Sequence, residues 1–167
     1  FLPRWCASPM PSAWPVAHLL DTFLMTEQPT SLKPLHPTLY QLAADGTSLD
    51  FFFAKCTDCG TVNFPANAPG CSHCGDPLTQ AIRLTRPGQG ELLEFVTIHV
   101  PLLPGMNAPS IAGDIRIAEG IIEEGVIAVP DESGLRTGMT LKAVADVREA
   151  QGVYACVFVP MNEEVAA

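Results

Sequence analysis

Short apolar stretches separated by turn-forming residues dominate the second half of the chain. From residue 91 onward each stretch spans seven to nine residues and is followed by a polar or glycine-rich cluster, such as Pro130-Asp-Glu-Ser-Gly134. Strands bounded by turn signals at this spacing are typical of small all-β barrels. The pattern predicts a mainly β chain that ends in a five-stranded, partly open OB-fold barrel, with strands at residues 92–100, 111–118, 121–129, 140–147 and 153–159.

The segment before the barrel carries a different pattern. Residues 36–46 have a proline near their start, two leucines three positions apart and Gly46 at their end, which predicts a short helix. Residues 49–55 include three consecutive phenylalanines and predict a strand. Residues 78–85 predict a second strand that leads towards the barrel.

Four cysteines lie between these two strands in two similar motifs. Cys56-Thr-Asp-Cys59-Gly60 and Cys71-Ser-His-Cys74-Gly75 leave eleven residues between Cys59 and Cys71. Each motif brings two sulfurs to one side of a tight knuckle, and the glycine permits the positive φ that such a knuckle needs. Two knuckles supply the four thiolates of a closed tetrahedral site. The predicted ligands of a structural Zn²⁺ are therefore Cys56, Cys59, Cys71 and Cys74.

Three other uses of these cysteines remain open at this stage. A pair of disulfides is typical of a small secreted scaffold, whereas this chain has enough apolar residues for a larger core. A redox Cys-x-x-Cys is expected beside a βαβ pattern, which the sequence does not show. Iron is compatible with tetrahedral thiolate ligation. Zinc is favoured, and four protein ligands leave no coordination position open for catalysis.

The charge balance argues against one common partner of OB barrels. The chain has a formal net charge of −9, and from residue 91 to its end it holds twelve acidic and four basic residues. Phosphate backbones require a basic surface, so no nucleic acid partner is expected. No apolar run reaches the roughly 18 residues of a membrane span, so no membrane partner is expected. The cysteine usage favours the reducing cytoplasm.

The first residues differ from the rest of the chain. Residues 1–24 contain both tryptophans and do not begin with methionine, whereas Met25 begins a segment typical of a natural start. We interpret residues 1–24 as a leader that is not native, with an arm that docks on a partner as the alternative. The expected organisation is an arm or leader at 1–35, a helix and zinc ribbon at 36–86, an OB-fold at 87–160 and a tail at 161–167.

None of the remaining polar residues is predicted to be catalytic. Cys156 lies in a strand that is apolar on both faces, where a thiol is expected to be an inert core residue and not a nucleophile served by His99. Four acidic residues of the barrel are expected on solvated strand faces with no apolar pocket around them. These residues are Asp114, Glu119, Glu123 and Glu124.

One uncharged loop is a candidate contact surface. Residues 101–110 contain three prolines, and several of the residues between them are apolar. Loops normally lie on the surface, where an apolar stretch often marks a contact site. Leu102, Leu103 and Met106 are the predicted partner contacts. The alternative is that the loop caps an open end of the barrel.

The chain resembles a family of small bacterial proteins, often called acyl-CoA-associated, in which a rubredoxin-like zinc ribbon precedes an OB-fold. The resemblance covers roughly residues 36–160 and rests on the two cysteine motifs, on Ile98-His-Val-Pro101 and on Leu135-Arg-Thr-Gly-Met-Thr-Leu141. The chain departs from the pattern where Ala66 replaces a second proline and where no proline follows Cys71. Neither departure removes a cysteine ligand.

The resemblance implies a non-catalytic subunit of a thiolase-like, acyl-CoA-processing complex, similar to the small subunit of benzoylsuccinyl-CoA thiolase. The thiolase-like partner would carry out the C–C bond chemistry, and the small subunit would complete the assembly and shape the path of the substrate. A CoA thioester would then bind at the interface of the two subunits, with Arg83 and Arg86 as candidate contacts for its phosphates. The alternative is a stand-alone binding module for single-stranded nucleic acid, or an adaptor.

Overall fold

A computed structural model describes residues 32–101 and 107–161. The predicted leader, the partner contacts Leu102, Leu103 and Met106, and most of the tail lie outside the described residues. Within the described ranges ten strands form two sheets: β1 (Lys33–Pro34), β2 (Tyr40–Leu42), β3 (Leu49–Lys55), β4 (Val62–Asn63), β5 (Ile82–Pro87), β6 (Gln89–Ile98), β7 (Ser110–Ala118), β8 (Ile121–Ile127), β9 (Thr140–Arg148) and β10 (Val153–Pro160). The described residues also form three short 3₁₀ turns, at Leu78–Gln80, Glu132–Gly134 and Glu149–Gln151.

Strands β6 to β10 form a closed five-stranded barrel. Antiparallel pairings join β7 to β6 and β8, and β9 to β6 and β10. A parallel contact between β8 and β10 closes the ring through the single pair Phe158 and Ile127. The strand order is that of an OB barrel, so the predicted OB fold is confirmed, although the barrel is closed and not partly open. Its interior is filled by side chains that are at most 2% exposed, among them Leu92, Ile115 and Leu141.

Strand β3 is the centre of the second sheet. It pairs with β2 and β4 along one edge and with β5 along the other, always antiparallel. Successive side chains of a strand point to opposite faces. Phe51 and Phe53 lie on one face and join the core that fills the barrel. Ala54 and Cys56 lie on the other face and join a small cluster around the cysteine motifs. One strand therefore connects the barrel core to the predicted metal site.

The helix predicted over residues 36–46 is absent, and this prediction is corrected. The segment forms turns and then strand β2, in which Tyr40 pairs with Phe51 of β3. Gly46 lies in the turn of the β2–β3 hairpin with φ of 72°, and Asp45 accepts hydrogen bonds there from the N–H groups of the two residues after the glycine. Proline, aspartate and glycine are common both at helix ends and in hairpin turns. The burial of Tyr40, which is 3% exposed, favours the hairpin.

The strand predicted at 78–85 is displaced along the chain. Residues Leu78–Gln80 form a 3₁₀ turn, in which the Ala81 N–H donates to the Leu78 carbonyl at 3.3 Å. Strand β5 follows at Ile82–Pro87. Leu78 is buried in the cluster around the cysteine motifs, and this burial holds the turn out of the sheet. In the described part of the chain, no helix has the length and apolarity that crossing a membrane requires.

The two sheets pack on a shared core. Strand β1 pairs in parallel with β10 of the barrel, and Phe51 packs edge-on against Phe158 with ring centroids 6.2 Å apart. Between β5 and β6, the Gly88 N–H donates to the Leu49 carbonyl and the Gly88 carbonyl accepts from Ala143 N–H, both at 2.7 Å. Gly88 thus hydrogen-bonds both the centre of the ribbon sheet and a strand of the barrel.

Candidate metal centre

The two cysteine motifs fold into knuckles with the same backbone geometry. In the first knuckle the Gly60 N–H donates to the Cys56 carbonyl at 3.1 Å, and in the second the Gly75 N–H donates to the Cys71 carbonyl at 3.0 Å. The two glycines have φ of 78° and 76°, a conformation that disfavours residues with a side chain. This repeated geometry turns both pairs of sulfurs towards one point.

The four sulfurs lie at the spacing of a tetrahedral site. All four Sγ atoms lie within 4.8 Å of one another. The distance is 3.7 Å between Cys56 and Cys74, and 3.5 Å between Cys59 and Cys71. A tetrahedron with Zn–S bonds of about 2.3 Å has an edge of about 3.8 Å, so the donor set fits a structural Zn²⁺. A disulfide needs about 2.05 Å, and the sulfurs are not joined in this way.

Burial divides the four ligands into an inner and an outer pair. Cys56 and Cys71 are buried, and they pack with Ala54, Ala66 and Leu78. Cys59 and Cys74 are exposed, although they complete the same cluster. The predicted ligands are therefore brought together at one edge of the ribbon, where two of them are shielded from water.

Backbone N–H groups of the knuckles favour the thiolate form of one ligand. The N–H groups of Cys74 and His73 lower the pKa of Cys71 to about 6. For Cys74 the N–H of Asp76 acts to lower the pKa, but desolvation and the neighbouring sulfurs together raise this pKa to about 12. A metal-free cluster therefore retains protons, which metal binding must displace.

Asn63 is a supporting residue that the sequence analysis missed. Its side chain is 3% exposed, and its Oδ1 accepts from the Ser72 N–H at 2.8 Å and from the Ser72 hydroxyl at 2.9 Å. Its Nδ2 donates to the Thr61 carbonyl at 3.0 Å and lies 3.6 Å from the Cys71 sulfur. Asn63 therefore links the strand beside the first knuckle to the start of the second. In the sequence, the only sign of this supporting role was a polar residue between the apolar residues Val62 and Phe64.

Replacing Asn63 by alanine is expected to weaken zinc binding by about 10- to 100-fold, as is usual when a residue that orients metal ligands is lost. The reason is that the variant leaves Ser72 and the Cys71 sulfur without their hydrogen-bond partner. Competition with a chromophoric chelator measures the change. Asn67→Ala is the matched control, because Asn67 is exposed; equal zinc affinities of the two variants would contradict the assigned role.

The two candidate CoA contacts lie on the same strand but on opposite faces. Arg83 pairs with Ala54 and Arg86 pairs with Phe51, three positions apart on β5. Arg83 lines a shallow cavity of about 370 Å³ together with Phe52 and other residues of the ribbon. The Arg86 guanidinium carbon lies 5.5 Å from the centre of the Phe53 ring. The structure does not combine them into one pocket.

The structure keeps Cys156 and His99 in different places. Cys156 is half-buried and lines a groove beside β10, and burial raises the pKa of this thiol to about 12. His99 is exposed and lines another cavity, of about 290 Å³, with Asp131 and Glu132. A thiol with a raised pKa is a poor nucleophile. His73, inside the second knuckle, is exposed.

One acidic residue was assigned to the wrong face. Glu123 pairs with Ile115, whose side chain is fully buried in the barrel core, so Glu123 is also on the inner face of β8. It lines the groove of about 520 Å³ beside β10, whose other walls include Tyr40, Phe51 and Phe158. Burial raises the pKa of Glu123. The expectation of a solvated Glu123 without an apolar pocket is therefore wrong, because the register of β8 could not be read from its sequence.

Comparison with known proteins agrees with this geometry. Residues 45–79 match the family described as ChsH2, rubredoxin-like zinc ribbon domain. This segment is similar to the ChsH2 zinc ribbon. A solved chain described as "Ltp2-ChsH2(DUF35) aldolase" is similar over 66% of this chain and 84% of its own length, with a TM-score of 0.53 and 20% identity, which shows a shared fold. No curated protein matches the chain. The ribbon match and the shared fold confirm the resemblance drawn from the sequence.

Proposed function

We propose that this chain is a non-catalytic, zinc-containing subunit of an acyl-CoA-processing complex. In this proposal a thiolase-like partner cleaves or forms a C–C bond of an acyl-CoA in the cytoplasm, and the present chain completes the assembly. The observation that carries the proposal is the closed four-sulfur site beside an OB barrel, in a fold shared with a component of an Ltp2-ChsH2 aldolase. Four protein ligands around zinc serve structure, because no position is left for a substrate.

Contact with CoA is the finer part of the proposal. We propose that the CoA thioester lies at the interface with the partner and that Arg83 or Arg86 contacts its phosphates. Because the two arginines extend from opposite faces of β5, each would meet a different group, and Arg83 has the cavity beside it. Leu102, Leu103 and Met106 remain the proposed apolar contacts with the partner. The acidic barrel itself repels phosphates, since it has twelve acidic and four basic residues from residue 91 onward.

Co-expression with a thiolase-like chain from the same organism tests the function. We expect one complex in gel filtration, with an interface above about 1,000 Å², and thiolytic or aldol activity on acyl-CoA substrates only when both chains are present. The alternative, a binding module for nucleic acid, predicts retention on a single-stranded oligonucleotide that weakens steeply with salt. Separate elution of the two chains, with full activity in the larger chain alone, would refute the proposed function.

A further inference from the structure

Strand β5 is an open edge of the ribbon sheet. It pairs with β3 only, and no main-chain hydrogen bond in the described residues joins its other edge. Most of its residues are exposed, and Ile82 is 53% exposed. Exposed strand edges of this length pair readily with another extended chain, and proteins usually cover or interrupt them.

The register identifies the free hydrogen-bonding groups. On β3, the N–H and the carbonyl of Phe52 form hydrogen bonds along the edge that faces β2 and β4. The Leu49 carbonyl accepts a hydrogen bond from the Gly88 N–H along the opposite edge, which faces β5. Odd-numbered residues of β3 therefore bond β5, and their partners are Ile82, Leu84 and Arg86. The groups that face outward on β5 are the N–H and carbonyl of Arg83, the N–H and carbonyl of Thr85, and the carbonyl of Pro87.

The open edge of β5 carries positive charge, whereas the chain as a whole is negatively charged. Arg83 and Arg86 are exposed on an acidic protein with a formal net charge of −9. Among the described residues neither guanidinium forms an ion pair; the two ion pairs there join Arg116 to Glu91 and Arg148 to Asp146. A strand added to β5 would place side chains directly opposite both arginines, one on each face of the sheet.

We infer that β5 is a docking edge for an extended, acidic segment of a partner protein. The segment adds as a further strand, bonds the outward groups of Arg83 and Thr85, and carries two carboxylates three positions apart that face Arg83 and Arg86. A second copy of this chain fits poorly, because two adjacent β5 strands would bring four arginines together. The inference rests on the proposed function for the existence of a partner subunit. It names the surface where that partner binds, and it assigns both arginines to the partner as the alternative to their contact with CoA phosphates.

The first test uses a defined probe. A synthetic peptide of about eight valine and threonine residues, with two glutamates three positions apart, is titrated into the full chain while amide signals are followed by NMR. We expect the amides of Arg83 and Thr85 to exchange rapidly with solvent in the free protein and to become protected with the peptide. Protection of these amides without peptide, dimerisation through β5, or no binding would each overturn the inference.

Thr85→Pro supplies the decisive variant. Proline at this position removes the outward N–H of Thr85 but breaks no hydrogen bond between β5 and β3. The fold and the zinc content should therefore persist. Thr85→Val keeps the N–H and is the control. We expect the proline variant to bind the glutamate peptide at least about tenfold more weakly. Arg83→Glu should weaken binding about fivefold, whereas Lys142→Glu, the same charge change on the barrel, should not.

The assembly test separates this inference from the proposed function. If the wild-type chain fails to form a complex with the thiolase-like subunit, the proposed function fails. If the wild-type and Thr85→Pro chains bind that subunit equally well, the function stands and the docking edge is wrong. Coenzyme A, which has phosphates but cannot extend a sheet, should bind the proline and valine variants equally.

Discussion

Replacing Cys71 by serine is expected to abolish zinc binding and to unfold the ribbon. Cys71 is 5% exposed, its sulfur lies 3.5 Å from that of Cys59, and its carbonyl closes the second knuckle. Structural zinc contributes apparent free energies of about 10–16 kcal/mol in small domains. Here the ribbon also packs on the barrel core, so we expect a smaller loss, of about 5 kcal/mol or more in the free energy of unfolding.

Metal analysis and thermal unfolding measure this effect. The wild-type chain should contain about one zinc and the variant less than about a tenth. Cys156→Ala is the control, because Cys156 lies in the groove beside β10 and outside the sulfur cluster. The zinc content of this variant should equal that of the wild-type chain. A Cys71→Ser protein that retains one tightly bound zinc and the wild-type Tm would show that the four sulfurs are not the structural site.

The barrel and the metal ligands could be predicted because their signals are local. Each barrel strand is bounded by glycine, proline or aspartate, and the observed strands overlap all five predicted ranges. The cysteine spacing alone requires two knuckles, and Gly60 and Gly75 have the positive φ that the motif needs. Within each knuckle and at each strand end, the residues that decide the local structure are within a few positions of one another.

The features that were missed depend on pairing between distant segments. Tyr40 lies in a strand because it pairs with Phe51 and packs against Tyr154, and neither contact is visible in residues 36–46. Glu123 faces inward because of its register with β7. A shift of one residue in register would turn it outward. Asn63 supports the metal site through Ser72, nine positions away.

The same limit applies to the arginines. The sequence places Arg83 and Arg86 close together, and the resemblance implied that either arginine could contact CoA phosphates. Pairing with β3 places the two side chains on opposite faces of the sheet at its open edge. They can therefore each contact a separate ligand group, but they cannot bind one group together. In the proposed docking edge these arginines act together with the outward N–H groups of Arg83 and Thr85, which only the topology of the sheet reveals.

Replacing Gly88 by alanine is expected to destabilise the contact between ribbon and barrel by about 3 kcal/mol or more. A Cβ at this position would lie 2.7 Å from the Leu49 carbonyl oxygen and 2.8 Å from the Ala143 Cβ. The backbone cannot move away easily, because the Gly88 N–H and carbonyl each form a 2.7 Å hydrogen bond, one to the ribbon and one to the barrel. The alanine must therefore force the two sheets apart at their shared core.

Thermal unfolding of the zinc-loaded protein measures this loss, and the Tm should fall by roughly 6–12 °C. Gly134→Ala is the matched control, since a Cβ there would have no atom within 4 Å, and its Tm should change by less than about 2 °C. Because the knuckles lie away from Gly88, the Gly88→Ala protein should still bind one zinc. An unchanged Tm would mean that ribbon and barrel are not rigidly packed at Gly88, and a loss of zinc would mean that the packing also supports the metal site.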